Sequence, residues 1–356
     1  MAVGFVSPAL RPLRKRRPFH RRNNTVCAAD GPVSPTRREL LQAFAVAPLA
    51  SLATASERAL AAETRPRSPW DRLYDSRSGS FVPASALAAL LRRDVGLSFN
   101  RCIVAGEIHD NVCTHAAQLA VIDGAARLPD AMPLTVGFEQ FYRMHNMYLD
   151  AFIEGKISTG ELLQKTRWAE TWGFDPKLYT PIFEYCRDNQ IPMVGLNLPV
   201  QFVKQVSNYG LEGLPEGLKQ FLPDNMDVGN KEHYRHFMQL IGVDSSHIGA
   251  NPDQALLDRY YEAQVLWEEW MSQSVAMSLK DRPGTRMVAL IGSGHVEGRY
   301  GFPNRIERRS AERPYTVVPR PVAWTSNEGH SMPNISRPEV DIADLVWYTR
   351  RKIDLV

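Results

Sequence analysis

Four cysteines in 356 residues, none of them spaced as C-x-x-C, offer neither a disulfide scaffold nor a thiolate zinc knuckle. No apolar run is long enough to span a bilayer, so a transmembrane segment is not expected. The patterns H-E-x-x-H, G-x-S-x-G and the P-loop are all missing, which leaves the zincin, serine-hydrolase and nucleotide routes unsupported. Acidic residues are missing too, but only locally: none precedes Asp30. The chain is nonetheless 44% hydrophobic and 9% aromatic, too much for a disordered protein and enough for one large or two ordinary domains.

The formal charge of +3 suggests nucleic acid or an anionic membrane until the charges are located. Arg11, Arg14, Lys15, Arg16, Arg17, Arg21 and Arg22 crowd the acid-free start, the composition of an organelle transit peptide. Arg37-Arg38, a weakly apolar run from Leu40 to Leu52 and the small-x-small end Ala59-Leu60-Ala61 then come in the order of a twin-arginine export signal. The two in tandem predict a removed leader over residues 1–61 and delivery to the chloroplast thylakoid lumen. Residues 1–61 carry ten basic and three acidic side chains, so residues 62–356 hold 32 basic and 36 acidic ones, a net of −4. The electrostatic case for nucleic acid disappears with the leader.

Beyond residue 61 the chain alternates short apolar runs with helical spacing. Cys102–Gly106, Leu134–Phe138, Ile191–Leu196 and Arg286–Ile291 read as buried parallel strands, with Tyr315–Val318 and Leu345–Thr349 as two more. Pro319–Pro338 reads as the loop between that last pair. About 199–282 shows only helical signals, the clearest over Pro252–Lys280, where Leu256, Tyr260, Ala263, Trp267, Trp270 and Met271 form a stripe expected to be core. The expected fold is α/β: a mostly parallel sheet flanked by helices, with a helical insertion between the third and fourth core strands, all within one domain over 62–350.

Ligands of parallel sheets bind beyond the carboxyl ends of the strands. Three of the four strands end in suitable groups: Gly106-Glu107-Ile108-His109-Asp110, Glu139, and Gly292-Ser293-Gly294-His295. Two G-x-x-H elements would bring His109 and His295 to one edge, where Glu107, Glu139 and Asp110 could join them; Asp110 could instead cap the next helix. Such a set suits a divalent metal or a general base with a positioned water. His233-Tyr234-Arg235-His236 has metal-compatible spacing, but its charged neighbours predict an exposed helix face.

These residues carry a resemblance. Gly106-Glu107-Ile108-His109-Asp110-Asn111 with His115 and Gln118, Gly137-Phe138-Glu139-Gln140-Phe141, Trp172-Gly173-Phe174-Asp175 with Tyr179, Leu196-Asn197-Leu198-Pro199, Ala263-Gln264 with Glu268 and Met271, Gly292-Ser293-Gly294-His295 and Ala343–Trp347 resemble, in order, the ChaN-like haem-binding uptake branch of the Tiki superfamily. The match spans about 71–350. Thr114 stands where the first of two paired histidines is usual, Glu268 where Asp is common, and Ser272 where Ala is usual.

The resemblance implies haem as cofactor, a tetrapyrrole as partner and a role in iron handling, and it is compatible with a homodimer. Candidate haem-binding residues are His109, His115, Tyr142 and Tyr179, without a diagnostic spacing that selects the axial ligand. The alternative is a metal-dependent hydrolase of peptidase or esterase type. There His109, Glu139 and His295 would hold the metal and Glu107 would serve as general base, giving Glu107, His109, Glu139 and His295 as the catalytic set.

Overall fold

Apolar stretches without interruption become strands covered on both faces. The computed structural model describes residues 72–243, 253–324, 335, 338 and 342–352; residues 1–61, expected to form a leader, and most of the 319–338 stretch lie outside the described residues. β1 (Arg72–Asp75), β2 (Ser80–Pro83), α1 (Leu87–Leu91), β3 (Cys102–Glu107), α2 (Val112–Ala126) and β4 (Leu134–Tyr142) come first. α3 (Asn146–Ile153), α4 (Thr159–Lys165), α5 (Trp168–Thr171) and α6 (Thr180–Asp188) lead to β5 (Met193–Asn197). The stretch with only helical signals holds α7 (Val200–Tyr209), α8 (Glu216–Lys219), α9 (Lys231–Val243) and α10 (Gln254–Asp281). β6 (Arg286–Gly292), α11 (Phe302–Ser310), β7 (Tyr315–Trp324) and β8 (Leu345–Lys352) complete the order.

The eight strands form one sheet in the order β2-β1-β8-β7-β3-β6-β4-β5. Every pairing from β8 across to β5 is parallel; only β1 is antiparallel to its neighbours β2 and β8. The fold is therefore α/β with a mostly parallel sheet. Successive side chains of a strand point to opposite faces. Ile103, Ala105, Val136, Phe138, Val288 and Leu290 accordingly enter one core with Val121 and Ile122 of α2. Cys102, Val104, Met287, Ala289 and Ile291 enter the other, beneath Met271 and Val275 of α10 and Phe302 and Ile306 of α11. No helix among the described residues is long and apolar enough to cross a membrane.

One element is added to the expected fold and two expectations are corrected. The β1–β2 hairpin has no counterpart in the sequence reading, because two four-residue strands carry no periodic signal. β7 runs on to Trp324 through Pro319 and Pro321, where a loop was expected. Its pairs with β3 end at Val317, so the prolines fall where that ladder no longer needs their missing N–H groups. The cap of α2 is Asn111, not Asp110: the Asn111 side chain accepts from the Cys113 and Thr114 backbone N–H groups.

At the edge opposite the strand ends, fully buried Arg286 forks onto Asp130 at 3.0 and 2.6 Å and also donates to the Asn100 carbonyl. This pair ties the start of β6 to the turn before β4.

Candidate functional site

β3, β6 and β4 lie side by side, so their carboxyl ends present Glu107, Gly292 and Glu139 together. Fully buried Glu107 is surrounded by donors. Tyr179 Oη donates to Oε1 at 2.9 Å, and Gln118 and Gln140 each donate to Oε2 at 3.0 Å. Nδ1 of His109 is 2.7 Å from the same Oε1. Burial raises the Glu107 pKa, but these hydrogen bonds and the charges of His115 and His109 outweigh it and hold the group at about 2. Burial likewise disfavours the His109 cation, and the Glu107 hydrogen bond and charge reverse that, so its pKa lies above the ordinary imidazole value.

The His109 ring is fixed on its other sides by aromatics, Trp172 edge-on at 4.9 Å and Phe174 at 5.1 Å. Trp172 Nε1 donates to Tyr179 Oη, so indole, phenol, carboxylate and imidazole form one chain. Close approach of β6 needs Gly292: a Cβ there would lie 2.9 Å from His109 Cε1. The His109 side chain remains 21% exposed, and Nε2 has no hydrogen-bond partner among the described residues.

A second carboxylate–imidazole pair joins Glu268 of α10 to His295, just after β6. Nδ1 of His295 is 2.9 Å from Glu268 Oε1, and its ring packs against Trp267 at 5.7 Å. Burial lowers the His295 pKa, yet Glu268 and Glu139 together hold it above the usual range. Glu139 stands between the pairs, accepting from the Gly292 N–H at 2.6 Å with Oε1 3.6 Å from His295 Nε2.

The expected residues thus divide. Glu107, His109, Glu139 and His295 share one strand-end site. His115 is 2% exposed and lies behind it, Nδ1 facing Gln118 and Nε2 facing the His109 carbonyl. Tyr179 is fully buried, and burial with the Glu107 charge keeps it a neutral phenol. Tyr142 is stacked on His145, its hydroxyl accepting from the Val200 N–H. Among the described residues no group of three or more His, Cys, Asp or Glu side chains is arranged to hold a metal ion. His109, Glu139 and His295 reach one edge, but not a coordination shell.

One expectation fails outright. His233 is not on an exposed face: it is 2% exposed, with Nε2 3.1 Å from Glu268 and Nδ1 3.2 Å from Tyr261 Oη. Arg305, which no motif marks, completes this cluster with Nη1 3.1 Å from Glu268. The available signals were positional: Arg305 lies between Phe302 and Ile306 on the apolar face of α11, and His233 is one turn from buried Phe237.

The family described as "Haem-binding uptake, Tiki superfamily, ChaN" matches residues 96–306, which include every residue of this cluster. The structure titled "Cofacial heme binding to ChaN of Campylobacter jejuni" is similar with a TM-score of 0.57 at 18% identity, over 78% of this chain and 96% of that one. "Protein RETICULATA-RELATED 5, chloroplastic" of Arabidopsis thaliana is 25% identical over 218 residues, 57% of this chain. The match spans only 27% of that relative's length. With more than half of its length matched, the chain belongs to the ChaN family of haem-binding uptake proteins in the Tiki superfamily.

Proposed function

We propose that this protein binds haem or a related tetrapyrrole through His109. The observation that carries the reading is the state of that imidazole. Nδ1 is tied to Glu107 while Nε2 has no hydrogen-bond partner among the described residues and the side chain is partly exposed. Imidazole ligands characteristically have their second nitrogen held by a carboxylate, which fixes the tautomer and strengthens the donor. His115, Tyr142 and Tyr179 are less suited, since each is buried with its polar atoms engaged.

The surroundings fit the group. Trp172, Phe174 and Trp267 provide flat apolar surface beside the two histidines. Trp267 Nε1 and Ser293 Oγ are buried without a partner among the described residues, as in a site that awaits one. Bound haem would supply an iron centre for which His109 would be the ligand from this chain. The chain's part is to hold His109 upright through Glu107 and to shield that ligand from water.

The Arg-rich leader and the chloroplastic Arabidopsis thaliana relative support a plastid address. Arg37-Arg38 with the apolar run behind it supports the thylakoid lumen, and the family's uptake role supports iron handling. Titration of haemin into the protein, followed at the Soret band, tests the central claim. A saturable red shift that weakens at least about tenfold in His109→Ala is expected; no saturable shift would sink the reading.

A further inference from the structure

Arg143 comes directly after β4 and carries a charge that no carboxylate among the described residues neutralises. Its guanidinium lies over the Trp270 ring, 4.5 Å from the centroid. Nε donates to Ser274 Oγ, and Nη2 lies within 3.2 Å of Ser274 Oγ, the Trp270 carbonyl and Gln273 Oε1. Every one of these acceptors is neutral, and no carboxylate among the described residues pairs with it. Arg286, Arg305, Arg299 and Arg320 differ: they face Asp130, Glu268, Asp344 and Glu297 respectively. Burial alone pushes the Arg143 pKa down to about 10, so it is still a cation at neutral pH.

A half-buried cation without a counter-charge is costly, and an arriving anion relieves that cost. The surroundings say what kind of anion. Met144 and Met147 are 69% and 66% exposed. Trp270 has its Nε1 buried without a partner among the described residues and its ring against Phe202. Nη1 makes no hydrogen bond among the described residues, and it suits a single monoanionic oxygen group joined to an apolar body. Trp270 is also one helical turn along α10 from Trp267, whose ring packs on His295. Trp270 and Trp267 thus lead along α10 from the cation to the ring that packs on His295.

We propose that Arg143, held over the Trp270 ring, receives a carboxylate of the bound ligand. The inference rests on the tetrapyrrole reading, since tetrapyrroles of this class combine an apolar plane with carboxylate side chains. Its alternative is a structural role, in which Arg143 only staples the end of β4 to α10. A staple needs the hydrogen bonds and is indifferent to the ligand's charge.

Haemin and haemin dimethyl ester, titrated into the full chain and its Arg143→Gln variant, separate these. Esterification removes the carboxylates and leaves the plane intact. We expect Arg143→Gln to weaken haemin about tenfold to hundredfold and to leave the ester within about twofold of wild type. Arg143→Lys should recover part of the haemin affinity. Equal weakening of both ligands, or unchanged haemin affinity, would overturn the proposal while the haem reading stands. Absence of any haemin shift in wild type would remove both. Should Arg143→Gln not fold, wild type alone decides: equal affinity for haemin and its ester overturns the role.

Discussion

Glu107 accepts from every direction and therefore orients everything around it. Replacing it with Gln keeps the shape but removes the negative charge and turns one acceptor oxygen into a donor, so the His109 tautomer loses its carboxylate anchor. Haemin affinity in Glu107→Gln should fall by about tenfold to hundredfold, the usual effect of a lost supporting carboxylate, with the fold retained by circular dichroism. Gly292→Ala tests the same ring from the other side. Its Cβ would meet His109 Cε1 at 2.9 Å, so the imidazole must tilt. The variant should show an altered Soret maximum even where it still binds. At this scale the strand-end residues were legible because each closes an apolar run. His233 and Arg305 were not: charged neighbours and a charged side chain imply solvent, and only the fold reveals that Glu268 and Glu269 wait inside to compensate them.

Among the elements, α2 starts at the site, and its cap joins helix to site. Asn111→Ala should cost about 1 kcal/mol in chemical denaturation, the typical loss of a side-chain cap. It should also loosen the 108–111 turn that presents His109. The opposite edge responds to acid. The Arg286 hydrogen bonds hold Asp130 below the ordinary carboxylate range. A depressed carboxylate contributes its full stabilisation above about pH 4 and loses it as pH falls through the lowered value. Asp130→Asn should therefore destabilise by about 3 kcal/mol at neutral pH, leaving Arg286 buried and unpaired, and the difference from wild type should shrink on acidification. A difference that does not change with pH would contradict this assignment. β3, β4 and β6 could be read from sequence because both faces are covered and the apolar run is continuous. β1 could not, since Arg72-Leu73-Tyr74-Asp75 is half polar and its strand identity depends on β8, some 270 residues away.

For the whole molecule, the charge balance changes sign along the chain. Ten of the basic residues lie within 1–61. If that segment is a bipartite leader, Arg37→Lys with Arg38→Lys should block arrival in the lumen in an import assay while entry into the plastid continues. Normal lumenal accumulation would rule out the twin-arginine route. The order of this region was legible as composition, and its fate depends on machinery that the fold does not contain.

β1 joins the parallel array only through β8, pairing Arg72 with Tyr348 and Asp75 with Leu345. A strand made early must therefore wait for one made much later, and its hairpin with β2 has no other berth in the sheet. Removal of β8 would unzip two strands distant from it in sequence and bare the flank of β7. Synthesis has to pass β8 before the sheet can close, so a chain cut short of it would display a loose hairpin and a raw edge, both marks by which quality control knows an unfinished protein.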